Sequence, residues 1–493
     1  MATTPYFILS PNTVLSIIGL IHGPDKTVPN PAQDWRDATV DVVIPAFNEE
    51  SNIPLCLASL ARQTRKPTRI ILIDDGSRDR TVEYAQTFCE LNGMELIAIR
   101  RAHSIGKTPT LKRQSREFDS DVEFILDGDT VLESDDYIDR VVEELYQGAG
   151  IASACGTVLP LRDRDRRAML DTKALQKFLS AHPEATVYPR VGWFHHLQRG
   201  ITDTYRDVLY YFLQKFVYVG QMAFFGSILN PVGCAVAYRR DVLKTIVFDR
   251  YEPILGDDLT NSEDIFIGFA MNDNGYRNIQ LTDVCARSQE PEVGRVPGQI
   301  YLWSSSFLQS CHYFDELMRS PFKAFERYRR KKQERVERAA GLADKRIHHE
   351  QYRQPFGIDT TVQYGRPIGW VLFMSAFEKV AFPTALLIMI LLQLWEPLAI
   401  TVAAETAVAT GILVTVAKGH RPEYLFKGLL VTPLRYGVLL FDLVTIGRFA
   451  FKRYRRKKQE RVERAAGLAD KRIHHEQYRQ PFGIDTTVQY GRP

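Results

Sequence analysis

The chain has 493 residues, of which 45% are apolar and 25% charged, with 63 Lys or Arg against 59 Asp or Glu. This composition is that of a globular protein and excludes disordered, collagen-like and disulfide-stapled chains. The six cysteines lie at least 26 residues apart, which excludes a zinc knuckle and a C-x-x-C redox pair. We therefore expect reduced thiols in a cytosolic compartment.

Residues 1–39 are predicted to form an N-terminal interfacial or amphipathic segment. Their one apolar patch, residues 13–23, is shorter than the ~20 residues that cross a bilayer. It also lacks the basic start and the small-residue cleavage site of a signal peptide. We therefore expect an interfacial or packed helix.

Residues 40–159 alternate short apolar, β-branched runs with polar stretches of helical character. The runs are VDVVIPAF, RIILIDDG, MELIAIRR, VEFILDGD and IASACGTV. Strands that alternate with helices predict an α/β fold with a mostly parallel sheet covered on both faces. In such sheets ligands bind beyond the carboxyl ends of the strands, where the acidic clusters of this chain are expected.

The first acidic cluster is IDDGSRDR, in which Asp74 and Asp75 end an apolar run and Gly76 and Ser77 follow. Adjacent carboxylates repel each other, and a donor or a cation compensates that repulsion. The edges of uracil and ribose supply such donors. An N-cap with a turn glycine is the alternative interpretation of the same residues.

The second cluster is ILDGDT, in which Asp127 and Asp129 are separated by one glycine. Alternate residues at a strand end can bring two carboxylates onto one ion, and Mg²⁺ or Mn²⁺ prefers carboxylate and phosphate oxygen. The cluster therefore predicts a divalent metal that bridges a pyrophosphate. A lone D-x-D is also common in surface loops.

The third cluster is NSED, in which Glu263 and Asp264 open an apolar run of helical periodicity. Carboxylates at this position either cap the helix or supply a general base that accepts a proton from an acceptor hydroxyl. Asp257 and Asp258 compete for the second role. Distance to the NGYR motif at Gly275 favours Asp264.

Three later apolar stretches, residues 368–395, 398–417 and 429–451, are each long enough to cross ~30 Å of hydrocarbon. The loop at residues 418–427 is basic. Basic loops stay in the cytoplasm, which places the acidic clusters there as well. The sequence thus predicts a multi-pass protein of the inner or plasma membrane with a cytoplasmic catalytic domain.

The third stretch contains Arg435, Asp442 and Arg448, and each charge costs roughly 2.5–3.5 kcal/mol near the bilayer midplane. Either these charges face protein or water, or the segment lies on or re-enters the membrane. A full crossing would also deliver the basic residues 452–458 to the outer side. We therefore predict a re-entrant or interfacial third segment, or a non-native tail.

A 41-residue segment occurs twice without one substitution, at residues 327–367 and 453–493. Each copy has 11 Lys or Arg and 5 Asp or Glu. Basic stretches beside membrane helices contact anionic headgroups, at about 1 kcal/mol per charge, which favours lipid over nucleic acid as the partner. A recent duplication and an artefact of cloning or assembly both explain the second copy, so we assign it no catalytic role.

The ordered series IPAFNEE, DDGS, Gly106-Lys107, DGD and then SED before NGYR resembles the family 2 glycosyltransferases over residues 40–307. This resemblance implies a GT-A fold, which is Rossmann-like with a mixed, mostly parallel sheet and flanking helices. A C-terminal α-helical membrane region would follow it. The resemblance also implies a UDP-sugar donor and Mg²⁺ or Mn²⁺ as cofactor.

The resemblance assigns roles to individual residues. It implies that the nucleotide sugar is bound by Ala46, Asn48, Glu49, Asp74, Asp75, Lys107 and Asp127. Asp127 and Asp129 would hold the metal, and Asp264 would be the catalytic base with Glu263 beside it. All three acidic clusters must then converge on one cavity.

The membrane-embedded processive branch, with the hyaluronan, chitin and cellulose synthases, is the most similar. Residues 220–240 resemble its acceptor-side segment, and Gln299 and Trp303 would bind the acceptor. Leu302 stands where that branch has the arginine of QxxRW. Leucine cannot pair with a diphosphate as a guanidinium does, so Arg295 or a residue elsewhere would have to replace it.

The leading hypothesis is a membrane-bound inverting glycosyltransferase that extends a polysaccharide on the cytoplasmic side, processively and with coupled export. The alternatives are a non-processive transferase acting on a lipid or short acceptor, and a catalytically silent membrane scaffold or nucleotide-sugar sensor. Expected partners are the donor, a growing glycan or lipid acceptor, and membrane lipids. A homo-oligomer is compatible with the sequence, and no nucleic acid is expected.

The predicted domain boundaries follow these patterns. They are an N-terminal segment 1–39, a glycosyltransferase domain 40–318, a basic membrane-flanking segment 319–367, membrane helices 368–452 and a basic tail 453–493.

Overall fold

The computed structural model describes residues 10–22, 34–147, 150–188, 192–251, 262–329, 332, 361–362 and 364–465, with side chains as far as residue 451. Most of both 41-residue copies therefore lies outside the described residues. Eight strands within these ranges form one sheet. They are β1 (Val40–Ala46), β2 (Arg69–Asp74), β3 (Leu96–Arg100), β4 (Val122–Leu126), β5 (Thr130–Leu132), β6 (Ile151–Pro160), β7 (Ala235–Arg239) and β8 (Arg277–Ser288).

The strand order in the sheet is β3-β2-β1-β4-β7-β6-β8-β5. β1 pairs in parallel with β2 and β4, and β2 pairs in parallel with β3. β7 is antiparallel to both of its neighbours, β4 and β6, while β8 is parallel to β6 and antiparallel to β5. The predicted α/β class with a mixed, mostly parallel sheet is confirmed.

Helices cover both faces of this sheet, as the apolar runs predict. In chain order they begin with α1 (Pro11–His22), α2 (Ile53–Arg62), α3 (Thr81–Asn92), α4 (Lys107–Glu117), α5 (Tyr137–Leu145), α6 (Asp163–Leu170), α7 (Lys173–Ala181), α8 (Trp193–Phe212), α9 (Tyr218–Phe225) and α10 (Arg240–Val242). π-Helical segments, Leu213–Val217 and Leu243–Asp249, follow α8 and α10. The series continues with α11 (Glu263–Asp273), α12 (Val296–Tyr313) and α13 (Asp315–Met318), and short 3₁₀ turns occur at Val293–Arg295 and Ser320–Lys323.

The side chains of β1 alternate between two hydrophobic cores. Val42 and Ile44 belong to the core on one face, and Val43 belongs to the core on the other. All three are fully buried. Successive strand residues point to opposite faces of a sheet, so a strand that is buried on both faces has to be apolar throughout.

The C-terminal region is helical, with α14 (Gly369–Leu391), α15 (Trp395–Val416), α16 (Arg421–Leu430) and α17 (Thr432–Ala465). In the described part of the chain, α14 and α15 are long and apolar enough to cross a membrane. The third predicted stretch is divided between α16 and the first part of α17, which meet at a bend of 50°. A bent pair is compatible with a broken span and with a re-entrant loop, so the topology of this segment stays a prediction.

The charged side chains of these helices contact protein groups. Arg435 on α17 forms an ion pair with Glu405 on α15, and Asp442 forms one with Lys379 on α14. Arg448 lies over the ring of Tyr301, 4.8 Å from its centroid. Charges in apolar helices are tolerated when they face a partner inside the bundle. The charges of the third segment therefore face protein groups, which is compatible both with a broken span and with the predicted re-entrant segment.

Helix α1 packs against the rest of the protein. Its Gly19 meets Gly220 on α9 so closely that a Cβ at Gly19 would lie 2.0 Å from the Gly220 carbonyl oxygen. A Cβ at Gly220 would lie 2.4 Å from Cα of Ser16. Asn12 donates a hydrogen bond from Nδ2 to Oε2 of Glu378 on α14, at 3.0 Å. Of the two predicted states of this helix, the structure shows the packed one.

We predict that Gly220→Ala destabilises the protein by about 1–3 kcal/mol, because the added methyl group has no space against α1. Gly200→Ala in α8 is the matched control, since a Cβ there would meet nothing within 4 Å. The control should be neutral or stabilising by up to about 1 kcal/mol, since alanine favours helix. Unfolding of the purified protein in detergent measures both changes, and equal behaviour of the two variants would contradict this packing.

Candidate active site

The three acidic clusters meet at the carboxyl ends of the central parallel strands. Asp74 ends β2 and Asp127 directly follows β4. Both strands pair in parallel with β1, and β2 also pairs in parallel with β3. Parallel strands present their carboxyl ends at one edge, so residues that are distant in sequence become neighbours there.

Gly128 allows a carboxylate-rich loop to pack against the end of β1. A Cβ at Gly128 would lie 3.3 Å from Cγ of Glu49. Burial, and then the charge of Asp127, raises the pKa of Asp129 to about 6. Burial, and then the charge of Asp129, raises the pKa of Glu49 to about 8. The charge of Asp129 thus raises the pKa of Glu49, and the charge of Lys107 only partly offsets the raised pKa of Asp129.

Lys107 connects the second acidic cluster to the third. Its Nζ lies 2.7 Å from Oδ1 of Asp127 and 2.9 Å from Oε1 of Glu263. The same ammonium donates a hydrogen bond to the carbonyl oxygen of Gly233, at 3.0 Å. Burial lowers the pKa of Lys107, but the two carboxylates outweigh it and raise this pKa well above its usual value. Lys107 is therefore a fixed positive charge between the two clusters.

Asp264 lies in the first turn of α11, beside Glu263. Burial, and then the charge of Glu263, raises the pKa of Asp264 to about 7. Gly233 provides the space for this carboxylate, since a Cβ there would lie 2.8 Å from Cβ of Asp264. Asp257 and Asp258, the competing pair, lie outside the described residues.

Two cavities open at this edge of the sheet. The smaller cavity, about 240 Å³, is lined by residues of β1 and of the loops after β2 and β4, among them Ala46, Glu49 and Asp75. The reaction cavity, about 650 Å³, is lined by Asp264 and by residues of α8, α12, α14 and α17. Lys107, Asp127 and Asp129 line both cavities. Asp75 of the first cluster lines only the smaller cavity, and Glu263 and Asp264 line only the larger one. The three clusters therefore meet at two adjoining cavities that share the second cluster, and not at the single cavity that was expected.

The carboxylate of Asp75 accepts four hydrogen bonds from the segment that follows β3. One of its oxygens accepts hydrogen bonds from Arg101 and the amide of Ile105, and the other accepts from Ser104 and the amide of Gly106. Its carboxylate thus holds the loop that leads into Lys107. A pair of hydrogen bonds to each oxygen explains how a buried carboxylate is stabilised here.

Asp74 and Asn48, both predicted to bind the nucleotide sugar, are not among the residues that line the two cavities. Asp74 is buried and accepts a hydrogen bond from the amide of Ser77, at 3.0 Å. Asn48 adopts a left-handed backbone, with φ of 58°, and its side chain accepts a hydrogen bond from the amide of Arg78. Both residues shape the loop after β2.

The wall of the reaction cavity opposite the acidic clusters is built around Arg206 on α8. Its guanidinium donates a hydrogen bond to Oε1 of Gln299, at 2.5 Å, and lies 4.5 Å from the ring centroid of Trp303. Its Nε is 3.5 Å from Oε2 of Glu290. Burial raises the pKa of Glu290 to about 7, so near neutral pH the guanidinium is only partly neutralised by this partner.

Leu302 does not line either cavity, and Arg295 is exposed on a short 3₁₀ turn away from both. Helix α12 presents Gln299, Ile300 and Trp303 to the reaction cavity instead. The guanidinium at this wall comes from Arg206, which the sequence did not predict. The one local signal is a basic residue among the aromatic residues of α8.

The reaction cavity is also lined by charged residues of the C-terminal helices α14 and α17. Ser304 on α12 donates a hydrogen bond to Asp442 and accepts one from Lys379, at 2.7 Å. All three residues line the cavity. The cavity therefore extends from the carboxylates at the sheet edge to the helical bundle.

The residues at the sheet edge fit a divalent cation that is shared with a substrate. Among the described residues, no group of three or more His, Cys, Asp or Glu side chains forms a complete protein cage. Mg²⁺ is usually held by one or two carboxylates together with substrate phosphates. The raised pKa values of Asp129 and Glu49 are the sign of carboxylates that a cation would stabilise.

Comparison with known proteins identifies the class of this domain. Residues 41–247 match the model described as Glycosyl transferase family 2. This match covers less than half of the chain. The predicted GT-A-like domain with flanking helices and a C-terminal helical region is confirmed. The processive membrane-embedded branch of the family stays a prediction.

Two curated relatives are similar to parts of the chain. An undecaprenyl-phosphate 4-deoxy-4-formamido-L-arabinose transferase from Pseudomonas paraeruginosa is 30% identical over 118 residues, which are 23% of this chain and 34% of the relative. An N-acetylglucosaminyltransferase from Azorhizobium caulinodans is 23% identical over 258 residues, 51% of this chain and 55% of the relative. The chain thus spans between a third and about half of these relatives.

Among solved structures, a mannosyltransferase from Pyrobaculum calidifontis in complex with GDP-Man and Mn²⁺ covers 85% of this chain and 94% of its own. It is 15% identical, with a TM-score of 0.44.

We predict that Mn²⁺ binds more tightly as the pH rises from about 6 to about 8, because protons must leave Asp129 and Glu49 before a cation binds there. Their pKa values are raised to about 6 and about 8, so binding at pH 7 should release protons. Calorimetric titration with Mn²⁺ in two buffers of different ionisation heat measures this release. Asp129→Asn should weaken binding at least tenfold, whereas Glu49→Gln should mainly reduce the number of protons released. A pH-independent affinity would contradict the assignment.

Proposed function

We propose that this protein is an inverting glycosyltransferase that transfers a sugar from a UDP-sugar to an acceptor at the cytoplasmic face of a membrane. The observation that carries the proposal is the Lys107 ammonium, which holds the D-x-D carboxylate Asp127 and the α11 carboxylate Glu263 at the junction of two cavities. A donor that fills the smaller cavity then presents its sugar to the larger one.

Asp264 is the proposed general base. With its pKa raised to about 7, it is half deprotonated near neutral pH, which is the range in which a general base is most effective. It accepts the proton of an acceptor hydroxyl as that oxygen forms a bond to C1 of the sugar. The bond from C1 to the diphosphate oxygen breaks, and UDP leaves with that electron pair. One displacement without a carboxylate nucleophile inverts the configuration at C1.

The donor side is proposed to use the residues of the smaller cavity. Ala46 and Glu49 line it, and the loop held by Asp75 shapes its edge for the uridine. Lys107 contributes a positive charge near the nucleotide. Asp127 and Asp129 would hold Mg²⁺ or Mn²⁺, which offsets negative charge on the diphosphate when bound.

For the acceptor we propose a growing polysaccharide as the first candidate. Trp303 lies in the wall of the reaction cavity, and the Arg206 guanidinium stacked on it fixes the orientation of its ring. An aromatic ring with adjacent polar groups suits a saccharide. The cavity reaches Asp442 and Lys379 on the membrane helices, which supports a product path in that direction and thus processive extension with export.

A lipid acceptor is the second candidate, and a specific feature favours it. A separate apolar cavity adjoins the reaction cavity between α8 and the membrane helices. One relative is named for transfer to undecaprenyl phosphate. In this case the enzyme would add a single sugar to a membrane-anchored molecule.

The size of the product separates the two candidates. Membranes containing the protein are incubated with radiolabelled UDP-Glc, UDP-GlcNAc, UDP-GlcA or UDP-Gal and Mn²⁺. Polymer of high mass is expected from processive extension, and a labelled glycolipid from single transfer. If no donor is consumed, and Asp264→Asn leaves the cellular phenotype unchanged, the silent scaffold is the correct alternative.

We predict that kcat/KM rises with pH through a midpoint of about 7, because only deprotonated Asp264 accepts the acceptor proton. Asp264→Asn should lower kcat by about 10²–10⁴-fold while leaving UDP binding within twofold of wild type. Asp171→Asn, at an exposed position, is the matched control and should keep the wild-type profile. An unchanged midpoint and rate in Asp264→Asn would exclude this base.

Gly233→Ala should lower kcat at least tenfold, because the new methyl group would lie 2.8 Å from Cβ of Asp264 and displace its carboxylate. The affinity for UDP should change little. Gly294→Ala serves as control, since a Cβ there would meet nothing within 4 Å. Steady-state kinetics and UDP titration of both variants make the comparison. Equal kcat values for Gly233→Ala and Gly294→Ala would show that transfer does not depend on where the Asp264 carboxylate lies.

A further inference from the structure

We propose that the apolar cavity beside the reaction cavity binds an aliphatic chain that is covalently part of the acceptor. The inference rests on the second acceptor candidate proposed above and adds the place where its hydrocarbon lies. The cavity has a volume of about 150 Å³. It lies between α1, α8, α15, α16 and the start of α17.

The lining of this cavity is mainly hydrocarbon. Its apolar side chains come from α8, from α15 and from the residue between α16 and α17, and they include Val208, Leu209, Phe212, Val408, Ile412, Leu413 and Val431. The charged groups of the wall, Arg435 and Glu405, form an ion pair with each other, and Tyr436 donates a hydrogen bond to Glu405 at 2.6 Å. These charges are therefore neutralised within the wall, which favours an uncharged, apolar occupant.

The apolar cavity shares part of its wall with the reaction cavity. Tyr205 and Leu209 on α8 line both spaces. Arg206, between them in sequence, lines the reaction cavity only. One helix thus presents apolar side chains to one space and a guanidinium to the other. A molecule with a polar head and an apolar tail matches this division, with its head near Arg206 and Asp264.

The location among the membrane helices supports the same occupant. The nine residues of α15 from Glu405 to Leu413 span about 12 Å of helix, and α15 is one of the two helices in the described part of the chain that are long and apolar enough to cross a membrane. A chain in this cavity can therefore remain close to the lipid phase while its head group reaches the reaction cavity. Each methylene removed from water contributes a factor of about three to four in affinity.

Alkyl β-glucosides and alkyl phosphates with two, four, six and eight carbons test the proposal, each used as acceptor or as inhibitor of transfer in vesicles of phosphatidylcholine. For the wild type, the concentration for half effect should fall about three- to fourfold per added methylene until the cavity is full. The glucoside and phosphate series distinguish a sugar head group from a phosphate head group. Equal potency at all chain lengths would overturn the proposal.

Ala409→Phe fills the cavity and should remove most of the chain-length dependence, while UDP binding stays within twofold of wild type. Ala407→Phe, two residues away at an exposed position outside the lining, is the matched control and should behave as wild type. Val408→Ala enlarges the cavity and should shift the preference to longer chains. Identical chain-length profiles in Ala409→Phe and Ala407→Phe would overturn the proposal without affecting the proposed transferase activity.

Photolabelling gives a readout that does not need turnover. An octyl β-glucoside with a diazirine at the end of its chain should label peptides that contain residues 405–413 and 205–212, and Ala409→Phe but not Ala407→Phe should reduce that labelling. An excess of phosphatidylcholine vesicles should not compete with the octyl glucoside for this labelling. Labelling that ordinary phospholipid displaces would mean a structural lipid occupies the cavity, which overturns the acceptor assignment.

Discussion

The arrangement of the site depends on one ammonium group between two carboxylates. Lys107 lies 2.7 Å from Asp127 and 2.9 Å from Glu263 and so connects these two acidic segments. Two partly buried carboxylates repel each other at close range in a medium of low dielectric. A lysine held between them converts that repulsion into attraction, and removing one partner of such a buried set costs on the order of 3–5 kcal/mol. The loop held by Asp75 positions the start of α4 and so this lysine.

Paired charges also connect the C-terminal helices to one another. Glu405, Arg435, Lys379 and Asp442 lie within apolar helices, and each has an oppositely charged partner on a neighbouring helix. Paired charges hold helices in register at a much lower cost than isolated charges. Because Lys379 and Asp442 also line the reaction cavity, the bundle gives the cavity a polar end. The carboxylates at the sheet edge and the C-terminal helices thus line one continuous cavity.

Much of the fold could be predicted from local pattern. The runs around β1, β2 and β4 are apolar on both faces because both faces are covered, and this periodicity is readable without tertiary information. β7 was not predicted, since its short segment Ala235–Arg239 owes its central place to pairing with β4 and β6. The acidic clusters could be found because each follows a strand or opens a helix.

The partners of those clusters could not be found in the same way. Arg206 comes to Trp303 and Gln299 from a helix almost a hundred residues earlier, and no local spacing predicts such a contact. The substitution at Leu302 directed attention to α12, whereas the guanidinium is supplied by α8. The proposed base is an intermediate case, because helix capping and catalysis predict the same residues, and only Gly233 and the shared cavity separate Asp264 from an ordinary cap.

The most direct measurement of the central claim is the structure of the protein incubated with UDP and Mn²⁺, with the metal located by its anomalous scattering. One Mn²⁺ is expected on Asp127 and Asp129, with the diphosphate beside Lys107 and its terminal phosphate directed toward Asp264. Manganese and nucleotide bound at a different edge of the sheet, with the cavity between these carboxylates empty, would contradict it.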